Sequence, residues 1–74
     1  MNANAAYAIV IERADDGSFS AYVPDLPGCT ACADSVDELR RDIAEAVRLH
    51  IDSLRRHGET VPPPTTQVDT VRAA

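Results

Sequence analysis

Val23-Pro24-Asp25-Leu26-Pro27-Gly28-Cys29 is the stretch that decides how this chain folds. Two prolines and a glycine within five positions fix the backbone path, because proline locks φ and glycine opens the left-handed region. Between the prolines stand an acidic and an apolar side chain, Asp25 and Leu26. A plain connection between strands needs only roughly two to five polar residues. This segment is longer and stiffer than that, so it either shapes the fold or presents a surface.

The segment separates short extended runs. Residues 7–12 are rich in β-formers, with Tyr7, Ile9 and Ile11 on one face and Ala8 and Val10 on the other. Asp15-Asp16-Gly17 supplies turn chemistry. Residues 19–23 then alternate, with Phe19, Ala21 and Val23 opposite Ser20 and Tyr22. The pattern predicts a hairpin. After the proline segment, residues 29–33 read as a third strand.

Ser35-Val36-Asp37-Glu38 is a capping box, in which the Ser35 hydroxyl accepts from the Glu38 N–H. The helix it opens is predicted over residues 36–57. Val36, Leu39, Ile43, Val47, Ile51 and Leu54 recur every three or four residues and make one apolar stripe. Arg55, Arg56 and His57 fill the last turn, Gly58 caps it, and Pro62 forbids continuation. Pro62-Pro63-Pro64 reads as a stiff polyproline II spacer leading to a fourth strand at 67–71. Leu49 lies off the stripe, either as an ordinary exposed apolar residue or as part of a contact face.

The chain has 74 residues, is read as one domain over residues 1–74, and carries only three aromatics. A domain this small buries little of its surface, and oligomerisation is a common support. Twelve Asp and Glu face seven Arg and no Lys, for a net charge of −5. That balance disfavours phosphate backbones and favours a basic partner, simple solubility being the alternative. Residues 1–6 lack a basic n-region, and no run approaches the ~20 apolar residues of a membrane span, so a cytoplasmic protein without membrane contact is expected.

The residues offer little chemistry. Cys29-x-x-Cys32 lies in an extended run, where positions three apart point to opposite faces, and free thiols are expected rather than a metal or redox pair. His50 and His57 belong to the helix, glycine-rich phosphate loops are absent, and the strands offer only Glu12 and, in the fourth, Asp69. Arginines interleave with Asp42, Glu45 and Asp52 as on a solvated face, and aromatics are too few to stack bases. No enzyme, no cofactor, no metal site and no direct nucleic-acid binding is the resulting expectation.

The order of these features resembles the HicB family of antitoxins across roughly residues 6–72. The carriers are the hairpin, the proline-bracketed Asp25-Leu26-Pro27-Gly28-Cys29, the Asp34-Ser35-Val36-Asp37-Glu38-Leu39 helix start and the trailing Gly58 with Pro62-Pro63-Pro64. The resemblance implies an α+β, partial ribonuclease H-like fold of order β-β-β-α-β, an antiparallel sheet with one long helix on one face and no catalytic carboxylate set. It implies a small basic HicA-like toxin as partner, a protein with a double-stranded-RNA-binding-like fold that cleaves messenger RNA with a histidine. It also implies a homodimer or homotetramer. Two departures stand out. Neither the ribbon-helix-helix nor the helix-turn-helix domain of many members is legible before Ala74, so no operator binding is expected. Ala33 stands where glycine is frequent.

The function expected is therefore an antitoxin-type module that neutralises such a toxin by binding it. The alternative is a stand-alone oligomeric domain with another regulatory or protein-interaction role and no cognate toxin. The expected contact surface surrounds Tyr22, Asp25 and Leu26, with charge from Glu12, Asp15 and Asp16. The competing reading of the central pair is local: Asp25 caps a turn and Leu26 plugs the core. A sheet apolar on both faces with one helix leaves a face for a second copy.

Overall fold

Asp16 turns the chain where the sequence places a turn. Its Oδ1 accepts from the Ser18 N–H at 2.9 Å and from the Ser18 hydroxyl at 2.6 Å, while Gly17 N–H donates to the Ala14 carbonyl at 3.0 Å. The strands β1 (Val10–Arg13) and β2 (Phe19–Tyr22) pair antiparallel through this turn, and β3 (Thr30–Ala33) adds on the far side of β2. The sheet order is β1-β2-β3, and the helix α1 (Val36–Arg56) follows. The structure, a computed structural model, describes residues 6–74, and residues 1–5 of the N-terminal segment lie outside the described residues.

Register sorts the sheet into two faces. Ile11, Ala21 and Ala31 stand side by side, as do Arg13, Phe19 and Ala33, and these six share the helix side. Val10, Tyr22 and Thr30, with Glu12, Ser20 and Cys32, form the opposite side. The helix therefore covers the face that continues Tyr7, Ile9 and Ile11, one of the two arrangements the alternation permits. It packs on β3 and β2 and stops short of β1. Ile11 is consequently 37% exposed even though it points to the helix side.

The apolar stripe of α1 is the core, with Leu39, Ile43 and Ile51 buried against Ala21, Val23, Leu26 and Cys29. Val47 and Leu54 pack at its margin with Tyr7, Ile9 and Val61. Ser35 caps the helix in extended conformation, accepting from the Glu38 N–H at 3.2 Å. The far end closes in a Schellman motif, with Glu59 N–H on the Leu54 carbonyl at 2.9 Å and Gly58 N–H on Arg55 at 3.1 Å. Gly58 adopts φ +69°, which explains the residue type at that position.

The strands are shorter than the composition suggests, and no fourth strand forms among the described residues. Residues 59–74 run without regular structure. Pro62, Pro63 and Pro64 carry no N–H, and the next two amides are spent on a side chain, as described below. The segment 67–71 thus follows a stretch with no free donor for a sheet.

Candidate functional site

The proline segment folds as two consecutive turns. Leu26 N–H donates to the Val23 carbonyl at 3.1 Å, and Cys29 N–H donates to the Leu26 carbonyl at 3.0 Å. Each turn has proline at its second position, where φ is already set. Gly28 occupies the third position of the second turn at φ +87°, the left-handed value a type II turn requires. Val23 N–H closes the pair onto the Cys29 carbonyl at 3.1 Å.

Leu26 sits at the junction of the turns and is fully buried in the core. Its side chain supports the loop from within and offers nothing to a partner. Asp25 is held from the opposite direction. Its Oδ2 accepts from the Thr65 N–H at 3.0 Å and the Thr66 N–H at 2.9 Å. Its Oδ1 accepts from the hydroxyls of the same residues at 3.1 and 2.9 Å. The Thr66 amide bond, chiefly, holds the Asp25 carboxyl below its ordinary value of 3.8; desolvation opposes it, and the Thr66 hydroxyl and the two Thr65 bonds add to the lowering. No turn-capping role for Asp25 was needed to explain the loop; its partners lie 40 and 41 residues away.

The other residues singled out in the sequence divide between two ends of β2. Glu12 and Tyr22 lie on the uncovered sheet face, diagonal to one another across the β1–β2 pair, and Tyr22 is 43% exposed. Asp15 and Asp16 occupy the hairpin turn before β2, whereas Asp25 and Leu26 lie in the loop after it. Asp16 is committed locally to Ser18, whose hydroxyl holds the carboxyl below its ordinary value. Glu12 and Tyr22 therefore share one sheet face, but Tyr22 ends β2 beside the proline loop and Asp25, while Asp15 and Asp16 stand at the other end of the strand.

Charge follows the same division. Residues 1–35 hold five carboxylates and one arginine, whereas residues 36–57 hold five of each. On the helix, Arg48 bridges Glu45 and Asp52, both pairs solvent-exposed. Four of the five net negative charges thus belong to residues 1–35, the sheet and its loops, and the fifth to the chain after the helix.

The remaining groups supply no reactive arrangement. Cys29 is buried, which pushes its thiol up, and Cys32 is exposed on the uncovered face. A groove between the segment before β1 and the helix is lined by Tyr7, Ile9, Arg40, Ile43, Ala44 and Val47, with no carboxylate or imidazole among them. Among the described residues no three His, Cys, Asp or Glu approach closely enough to hold a metal ion, and no helix is long and apolar enough to cross a membrane.

Thr65 and Thr66 are the residues that sequence reasoning missed. A pair of threonines after a proline run is common polar chain, and only the tertiary path brings them to Asp25. The Tyr7 hydroxyl, which donates to the Pro62 carbonyl, was equally hidden, because 55 residues separate the two.

Comparison with known proteins adds an independent line. Residues 7–74 match the family described as the HicB-like antitoxin of bacterial toxin-antitoxin systems. A UPF0150 protein of Thermoplasma acidophilum is 36% identical over 67 residues, covering 90% of this chain and 97% of that protein. A UPF0150 protein of Archaeoglobus fulgidus is 46% identical over 46 residues, covering 62% of this chain and 67% of its relative. The crystal structure of the N-terminal domain of the Burkholderia pseudomallei antitoxin HicB superposes with a TM-score of 0.66 at 26% identity, covering 84% of this chain and 69% of that one. The three-stranded antiparallel sheet with one long helix is the architecture the two share.

Proposed function

This chain belongs to the HicB-like antitoxin family, and we propose that it neutralises a small basic HicA-like toxin by binding it and covering the toxin's RNA-cleaving surface. The observation that carries this reading is the uncovered sheet face, which carries the exposed Tyr22 with Glu12 diagonal to it, between the acidic hairpin turn at one end of β2 and the proline loop at the other. An aromatic anchor flanked by carboxylates suits a basic protein, since tyrosine contributes contact area and the charges steer the encounter. In this reading Glu12, Asp15, Asp16 and Tyr22 make the contact. Leu26 and the double turn hold the end of β2 that carries Tyr22, and Asp25 holds the chain after the helix.

Self-association as a homodimer or homotetramer uses a different region. The outer edge of β1 is unpaired among the described residues, and Ile11 beside it is 37% exposed where the helix fails to reach. A two-fold axis along that edge extends the sheet and covers Ile11, leaving Tyr22 for the toxin.

The test is a pull-down and an RNA-cleavage assay with a small basic protein encoded beside this chain. Wild type is expected to bind and to suppress cleavage, and a Tyr22→Ala, Glu12→Ala pair is expected to lose most of both while keeping the circular dichroism of the wild type. Equal suppression by the pair moves the interface elsewhere, and absence of binding by the wild type removes that protein as the partner.

A further inference from the structure

Residues 61–66 cross from the end of the helix to the proline loop as a strap. Val61 packs against the core margin, the Pro62 carbonyl accepts from the Tyr7 hydroxyl, and Thr65 and Thr66 reach Asp25. The last of these contacts has an unusual economy. A carboxylate offers about four acceptor sites, two on each oxygen. Here Oδ1 takes two hydroxyls and Oδ2 takes two amides, all four from two consecutive residues. The carboxylate is saturated, yet the bonds lie at the surface and every donor is neutral.

We propose that this lock is exchangeable: a guanidinium group of a basic protein takes over the Asp25 carboxylate, and the strap is released from Thr65 onward. A guanidinium presents parallel N–H donors in the geometry of a carboxylate and brings an opposite charge, whereas the amides and hydroxyls now on Asp25 are neutral. It cannot be added to the existing set, because no acceptor site remains. Binding at Asp25 and retention of the strap are therefore mutually exclusive. No charged group is among the influences on the Asp25 carboxyl, so an incoming cation displaces neutral donors. The strap ends in residues whose apolar side chains already face solvent, Val68 at 66% and Val71 at 92%, so release exposes little further apolar surface there.

This inference rests on the reading of the chain as the binder of a basic protein, and its test is separate from the toxin assay. The probe is an oligoarginine peptide, and the readout is amide exchange of Thr65 and Thr66 followed by NMR. In the free protein, Asp25→Ala is expected to accelerate exchange at both amides by about tenfold or more while the helix amides stay unchanged. In the wild type, the peptide is expected to produce the same local acceleration, and sodium chloride at matched ionic strength is not. Unchanged exchange in Asp25→Ala shows that the carboxylate does not hold the strap. Peptide binding that leaves Thr65 and Thr66 protected, or no peptide binding at all, overturns the exchange even if a toxin is neutralised. Acceleration by the peptide alongside failure of every toxin assay leaves the lock standing and removes only the antitoxin reading.

Discussion

Leu26 and Leu39 are, among the described residues, the two large side chains that are completely buried, one contributed by the proline loop and the other by the helix. They belong to the same core cluster, so the loop is not an appendage of the sheet. Its inner face completes the packing that the helix stripe begins, and its outer face carries Asp25.

Truncating either leucine leaves a cavity that the short sheet has little freedom to fill. Leu26→Ala and Leu39→Ala are each expected to cost about 2–5 kcal/mol in urea unfolding, a large share of the stability of a small domain. Leu49→Ala, which removes a side chain 52% exposed, is expected to stay within about 0.5 kcal/mol. A loss for Leu26→Ala as small as that of Leu49→Ala refutes the core assignment.

Gly28 isolates the backbone contribution. A Cβ added there meets nothing within 4 Å, so substitution creates no clash and the cost is conformational alone. Gly28→Ala is expected to destabilise the fold by about 1–2 kcal/mol, and Gly28→Asn by less, because asparagine tolerates the left-handed region. Equal stability of the glycine and alanine proteins indicates that the turn relaxes to negative φ.

Acid is expected to weaken the Asp25 lock. The folded carboxyl titrates below its ordinary value of 3.8, so its contribution is present above that value and is lost as pH falls through the lower folded one. The same sign applies to Asp16 in its turn. Carboxyl NMR titration should place both midpoints below 3.8 in the folded protein. With Thr65→Val and Thr66→Val together, the Asp25 midpoint should move back toward that value while Asp16 stays where it was.

The two cysteines should separate cleanly by reactivity. Cys32 is exposed, whereas Cys29 is buried and its thiol is held protonated. Labelling with a disulfide reagent under native conditions should modify one thiol quickly, identified as Cys32 by mass spectrometry. Cys29 should react only after denaturant is added; rapid modification of both indicates that the loop opens readily.

Reversing charge on the hairpin side tests the proposed surface kinetically. Glu12→Arg with Asp15→Arg is expected to slow association with a basic toxin by about tenfold at low salt, since steering depends on the local field. The difference should shrink as ionic strength rises and the Debye length falls to about 8 Å. A rate unaffected at low salt places the charge-steered contact elsewhere.

The sequence alone determined the three strands, the helix and their order. Turn chemistry at Asp16-Gly17, two prolines each at the second position of a turn, the Ser35 cap, the apolar stripe and Gly58 all act over a few residues, so local physics reveals them. The face of the sheet that the helix covers was open to two readings, because both faces carry apolar residues and only packing against Ala21 and Val23 selects one. The roles of Asp25 and Leu26 were likewise decided by tertiary structure. Nothing within the loop shows that Leu26 enters a core built mostly by a later helix, or that Asp25 faces the chain returning from it. The fourth strand had β-forming residues but no strand, since pairing needs a partner edge and free amides in register. The segment follows three prolines and two threonines tied to Asp25, and among the described residues it pairs with neither edge of the sheet.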